Sequence, residues 1–170
     1  MTAIRKRANT LPAHIAHDRV VQRLQQAEEA LAYASGIDQV RLVMDGAAAQ
    51  EVFATRQRMG EAVIGQAHAL KVRALVRLGE LLKDLPKAKG NAGPGRGKAG
   101  ASVGPAFTDA PTLSELGLDK KTSMVAQQLA ALPEATREAI AQREMTLSQA
   151  RRETKAADVL PFFIFFRLPC

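Results

Sequence analysis

Between Asp18 and Arg152 the apolar residues recur at steps of three and four, and the punctuation between the runs is the punctuation of helices. Val20, Leu24, Ala27 and Leu31 make one stripe on a helix from Asp18 to Ala34. Asp18 suits its N-cap and Ser35-Gly36 its stop. A second helix starts near Ile37 and carries Val40, Val43, Met44 and Ala47 towards Arg58, weakened but not broken by Gly46. A third follows Gly60, with Val63, Ala67, Leu70, Ala74, Leu78 and Leu81 on one face and Lys71, Arg73 and Arg77 on the other, and ends by Pro86. The second and third form either an antiparallel hairpin or one long rod. Narrow stripes on long Ala-rich helices need a partner surface, which points to a homodimer through the N-terminal helices.

Composition narrows the fold further. Aromatic residues are 4% of the chain, and four of the six Phe (Phe162, Phe163, Phe165, Phe166) fall at its end. The rest of any core is therefore Ala, Leu, Val and Ile, which together with Glu, Gln, Arg and Lys favours an all-α protein. The single cysteine, Cys170, excludes an intramolecular disulfide and a cysteine-based zinc site. His14, His17 and His68 do not make a metal-ligand set, and no Ser-His-Asp or Cys-His grouping stands out. No cofactor, metal or catalytic role is expected. No segment reads as a secretory signal or a membrane span, so the expected setting is cytoplasmic with no membrane partner.

Residues 87–110 hold half of the chain's twelve glycines together with Pro94 and Pro105, and read as a linker that cannot bury enough apolar surface to order itself. Gly97-Lys98 imitates the end of a phosphate-binding loop. Ala92 replaces the required earlier Gly, and Ala99 replaces the Ser or Thr that should follow the Lys. No strand precedes it, so nucleotide hydrolysis is rejected. The expected organisation is a flexible arm at 1–17, a helical region at 18–86, the linker, a helix-turn-helix domain at 111–158, and an aromatic tail at 159–170. That tail is a docking segment or an out-of-frame end.

The segment from Thr112 carries the functional expectation. Thr112 and Glu115 form a capping box, Gly117 ends a short first helix, and Asp119 caps a second whose apolar face is Val125, Leu129 and Leu132. Pro133 ends that helix, and Thr146 with Gln149 opens a last one. Helix, Gly-containing turn, helix is the arrangement that lays its second helix in a DNA major groove, N-terminal residues nearest the bases. The candidate DNA-binding residues are Lys120, Lys121, Thr122, Ser123 and Gln127. Lysines and hydroxyls contact phosphates or bases, and Gln pairs with adenine. The net charge of +7 suits the same polyanion.

Gly117, Lys120–Ser123, Leu132-Pro133-Glu134 and Leu147-Ser148 resemble the helix-turn-helix segment of ParB and KorB-type partition proteins. The resemblance covers about forty residues of the kind of unit that binds duplex DNA through its second helix. The nucleotide-binding domain that precedes it in chromosomal ParB proteins has no counterpart here, so nucleotide-driven sliding is not implied. From about Leu24 to Ala150 the chain is similar to small phage and mobile-element proteins, in which a stretch like Lys71–Leu82 precedes a Gly-rich linker and a Leu-Gly-Leu, Lys-Lys segment. Together these resemblances imply a non-catalytic DNA-binding protein with a regulatory or partition role. The alternative is a helical adaptor that binds a DNA-processing enzyme such as a methyltransferase or replication factor.

Overall fold

The computed structural model describes residues 13–86 and 111–159, with side chains from 15 to 86 and from 111 to 156. The flexible arm up to residue 12, the linker at 87–110 and the aromatic run from residue 160 lie outside the described residues. Every regular element among the described residues is a helix, and the protein is all-α. The helices are α1 (Ala13–Tyr33), α2 (Ile37–Arg56), α3 (Glu61–Asp84), α4 (Lys120–Ala130), α5 (Glu134–Ala141) and α6 (Leu147–Val159).

Helix α1 begins five residues before Asp18, so Asp18 sits inside it rather than at its cap. Its stop is as expected. The chain turns at Ser35 and Gly36, and the Gln39 side-chain oxygen accepts from both backbone N–H groups, at 3.0 and 3.4 Å, to open α2. The choice between hairpin and rod resolves as a hairpin, with α2 and α3 packed along their lengths. Its hinge is Arg58, at φ 51°, where Arg58 N–H donates to Thr55 O and Met59 N–H donates to Ala54 O. That paired bonding is a Schellman motif, which satisfies the last carbonyls of α2 and reverses the chain.

The same motif recurs where Gly117 (φ 60°) ends the turn at 112–117 and where Arg143 (φ 63°) ends α5. Glycine pays no steric penalty there; the two arginines do, and hold their conformation against it.

The apolar stripes meet as the periodicity requires. Val20, Leu24, Val40, Val43, Ala47, Val63, Ala67, Leu70, Ala74 and Leu78 form one core between the first three helices. Leu70, Leu78 and Val40 are its largest fully buried side chains, each contributing about 1.5–3 kcal/mol by leaving water. Leu118 and Ala126, from beyond the linker, belong to that same core. A second core joins Val72 of α3 to Leu129, Leu132, Ile140, Ala141 and Ala150. Helix α3 is therefore the shared spine, with α1 and α2 on one side and α4 and α5 on the other. The segments that the sequence reads as a helical region and a separate DNA-binding domain are packed on one helix.

Gly79 makes this contact possible. An ideal Cβ built on it would fall inside the Ala126 carbonyl group and 2.8 Å from Ala130 Cβ. The backbones of α3 and α4 thus cross with no side chain between them, as only glycine allows.

Candidate nucleic-acid interface

Helix α4 is the element on which the DNA-binding expectation stands, and contacts from five residues fix its position. Asp119 caps its start, accepting from Lys121 N–H at 3.0 Å. The turn before the cap is held from α2: the Arg41 guanidinium donates to the carbonyls of Leu116 at 3.0 Å and Gly117 at 3.1 Å. Gly79 receives its middle. At its end Lys83 donates to Ala130 O at 3.1 Å and Arg137 to Leu132 O at 2.8 Å, cations placed against the negative pole of the helix.

The expected first helix of a helix-turn-helix is shorter than the sequence suggested. Residues 112–117 make a single turn, closed by Leu116 N–H to Thr112 O at 3.1 Å, and α4 packs instead on the long α3. The capping box is present: Glu115 accepts from Thr112 N–H at 2.7 Å and Thr112 Oγ1 accepts from Glu115 N–H at 3.3 Å. The backbone bond from Thr112, followed by its hydroxyl, holds the Glu115 carboxyl below the usual range. The five residues between Pro111 and the Gly117 stop are too few to continue past one turn.

The five candidate residues do not share one face. Lys120 and Lys121 are exposed at the first turn of α4, Thr122 is half-buried, and Gln127 is exposed one turn further along. Ser123 is 2% exposed and faces the core, where its hydroxyl accepts from Gln127 Nε2 at 3.0 Å. Ser123 is therefore a packing residue whose hydroxyl is already used, and it presents nothing to a base edge. Its place on the outward face is taken by Met124, 52% exposed. The outward stripe is Lys120, Lys121, Met124 and Gln127, and neither lysine makes an ion pair among the described residues.

Charge is distributed unevenly along the chain. Residues 13–86 carry nine Lys and Arg against nine Asp and Glu, and residues 111–159 carry seven of each. The whole excess of +7 belongs to residues 1–12, 87–110 and 160–170, through Arg5, Lys6, Arg7, Lys87, Lys89, Arg96, Lys98 and Arg167 against Asp109. The helices form an electroneutral body, and several of their arginines are paired with carboxylates. Arg73 pairs with Glu28 and Glu138, and Arg77 and Arg137 both pair with Glu80.

Glu51 is the most enclosed of these carboxylates. It accepts from Arg143 at 2.7 Å, Lys71 at 3.0 Å and His68 at 3.1 Å. Burial pushes its carboxyl up, but the bonds from Lys71, Arg143 and His68 outweigh that and leave it below the usual range. This cluster ties the loop after α5 to α2 and α3.

Gly79, Arg41 and Glu51 were not singled out from sequence. A glycine in the Lys71–Leu82 stripe was a signal for a close helix crossing; Arg41 and Glu51 look like any solvated charge until the fold places them. Among the described residues there is no cluster of three His, Cys, Asp or Glu able to hold a metal ion, and no helix long and apolar enough to cross a membrane. Comparison with protein-family models, with curated proteins and with solved structures gives no match.

Proposed function

We propose that this chain is a non-catalytic DNA-binding protein that presents the first turn of α4 to the duplex. The observation that carries this reading is the free, exposed Lys120-Lys121 pair at the N-terminus of a helix pinned at both ends. An N-terminal turn adds its own positive pole to the two lysines, the combination that favours phosphate oxygens. Gln127 adds an exposed amide on the same stripe, its nitrogen held by Ser123 and its oxygen left to accept, and Met124 an apolar contact for a thymine methyl. Thr122 stands at the edge of that surface, and Ser123 supports it from within.

The electroneutral body makes the flanking segments part of the reading. Arg5, Lys6 and Arg7 and the four cations between Lys87 and Lys98 supply the excess charge that duplex DNA attracts without regard to sequence. Affinity then comes chiefly from these segments, and register from α4. A regulatory or partition role in a phage or mobile element fits the resemblance at Gly117–Ser148, and two copies of the chain would read two half-sites.

Binding to random duplex DNA against salt concentration tests the proposal. The Lys120→Ala/Lys121→Ala chain should show a slope of log affinity against log salt shallower by about one to two units. A slope unchanged by that double substitution removes α4 from the interface, and weak binding with no salt dependence removes DNA altogether.

A further inference from the structure

Helix α2 presents an outward face that nothing in the described chain covers. Leu42 is 75% exposed and Phe53 41% exposed, and between them on the same stripe lie Gly46 and Ala49. Asp38 precedes this run by one turn and Arg56 follows it by one turn, both exposed. The spacing from Asp38 through Leu42, Gly46, Ala49 and Phe53 to Arg56 is four, four, three, four and three, so all six residues lie along one side of a helix about 30 Å long.

The stripe is complementary to itself read backwards. Turned end for end about a point between Ala47 and Ala48, Leu42 falls on Phe53, Gly46 on Ala49, and Asp38 within one residue of Arg56. Large apolar residues meet at two places, small residues meet at the crossing, and opposite charges meet at both ends. Gly46 strengthens the case. A Cβ added there would meet nothing within 4 Å among the described residues, so none of them requires glycine in the middle of this helix, where alanine is the better helix former. Close approach of a second backbone does require it.

We propose that two copies of this chain pair through antiparallel α2 helices, related by a two-fold axis at Gly46–Ala49. The contact is isologous, each copy using the same six residues. Covering Leu42 and Phe53 removes the largest apolar surface that α2 leaves in water, which is what such exposed patches indicate. The pairing deepens the reading in which two copies serve one DNA duplex, but its test contains no DNA and so fails or succeeds on its own.

The test is sedimentation equilibrium of the full chain over a wide concentration range, beside Leu42→Asp. The wild type should dimerise, and Leu42→Asp should weaken the dimer about a hundredfold, because each of two buried leucines contributes roughly tenfold or more. Leu42 is 75% exposed and belongs to neither core, so the variant should keep the helical circular dichroism of the wild type. Asp38→Arg and Arg56→Asp should each weaken the dimer about tenfold, and an equimolar mixture of the two should recover it, since each chain then meets its opposite charge. A wild type that stays monomeric, or a dimer indifferent to Leu42→Asp, overturns the proposal and leaves this face to a different protein. A mixture no tighter than its components overturns the antiparallel register.

Discussion

Two glycines on α3 separate the intrinsic cost of glycine from the value of a close helix crossing. Gly65 and Gly79 lie in the interior of the same helix, so replacing either with alanine should gain about 0.8–1 kcal/mol of helix propensity. At Gly65 a Cβ meets nothing within 4 Å, and the gain should stand. At Gly79 the Cβ would overlap the Ala126 carbonyl group and sit 2.8 Å from Ala130 Cβ, where carbon atoms prefer about 3.5–4.0 Å. The obstacle is backbone, so no side chain can swing aside, and α4 must withdraw from α3. Overpacking of this kind costs about 1–3 kcal/mol, and the upper end applies because Ala126 and the shared core move with α4. The net expectation is about 1 kcal/mol gained by Gly65→Ala and about 2 kcal/mol lost by Gly79→Ala. For a chain of this length these correspond to melting temperatures roughly 2–4 °C higher and 4–8 °C lower than wild type. Thermal unfolding followed by circular dichroism reads both. Amide exchange in α4 should also quicken in Gly79→Ala and stay unchanged in Gly65→Ala. If the two variants are stabilised alike, α4 does not cross α3 at Gly79, and the single body described above is wrong.

The remaining predictions concern how the second half of the chain is fastened to the first. Glu51→Gln should destabilise by about 1–3 kcal/mol at neutral pH, since it strips the charge from bonds to Arg143 and Lys71. Because the Glu51 carboxyl lies below its ordinary value of 4.5 when folded, that contribution is present above this pH and is lost as pH falls through the lower folded value. Urea midpoints of wild type and Glu51→Gln should therefore converge at low pH, and a gap that persists there would show that the carboxylate charge is not what matters. Gly117→Ala should cost about 1–2 kcal/mol for the left-handed backbone alone, and more because the new Cβ displaces Arg41 from its two carbonyls. Arg41→Ala should lose part of that stability without the backbone strain, and a double variant less stable than the wild type by the full sum of the two single changes would show that the two are not coupled.

What the sequence made visible follows from which interactions are local. Helix periodicity, the stops at Ser35-Gly36 and Pro86, and the capping boxes at Thr112 and Thr146 depend on residues three or four apart, and they fall where the structure has them. The start of α1 escaped because no capping side chain marks Ala13 and the stripe there is faint. Ser123 was misplaced for a related reason. Residue type suggested a hydroxyl for DNA, whereas the three-residue step from Ser123 to Ala126 and on to Leu129 and Ala130 already put it on the buried side. The union of the two halves was not readable, since a Gly-rich stretch between them reads as a tether whether or not its ends are docked. Gly79 touching Ala126 and Arg41 capping a turn seventy-six residues away are long-range contacts without a local signature.

The single body changes what the charge can mean. Had α4 belonged to a free domain on a basic tether, its own charge would set its affinity. It is instead part of an assembly whose acidic and basic side chains are equal in number. On the proposed DNA-binding reading, two lysines at one helix end orient a duplex but are too few to hold it at physiological salt, where each neutralised phosphate contributes about one unit of salt slope. The cations at Arg5–Arg7 and Lys87–Lys98 flank that body in sequence and carry the excess. The proposal therefore makes orientation by a pinned helix and retention by cationic flanks separable: if it holds, substitutions in α4 should change which DNA is preferred, and substitutions in the flanks should change how tightly any DNA is held.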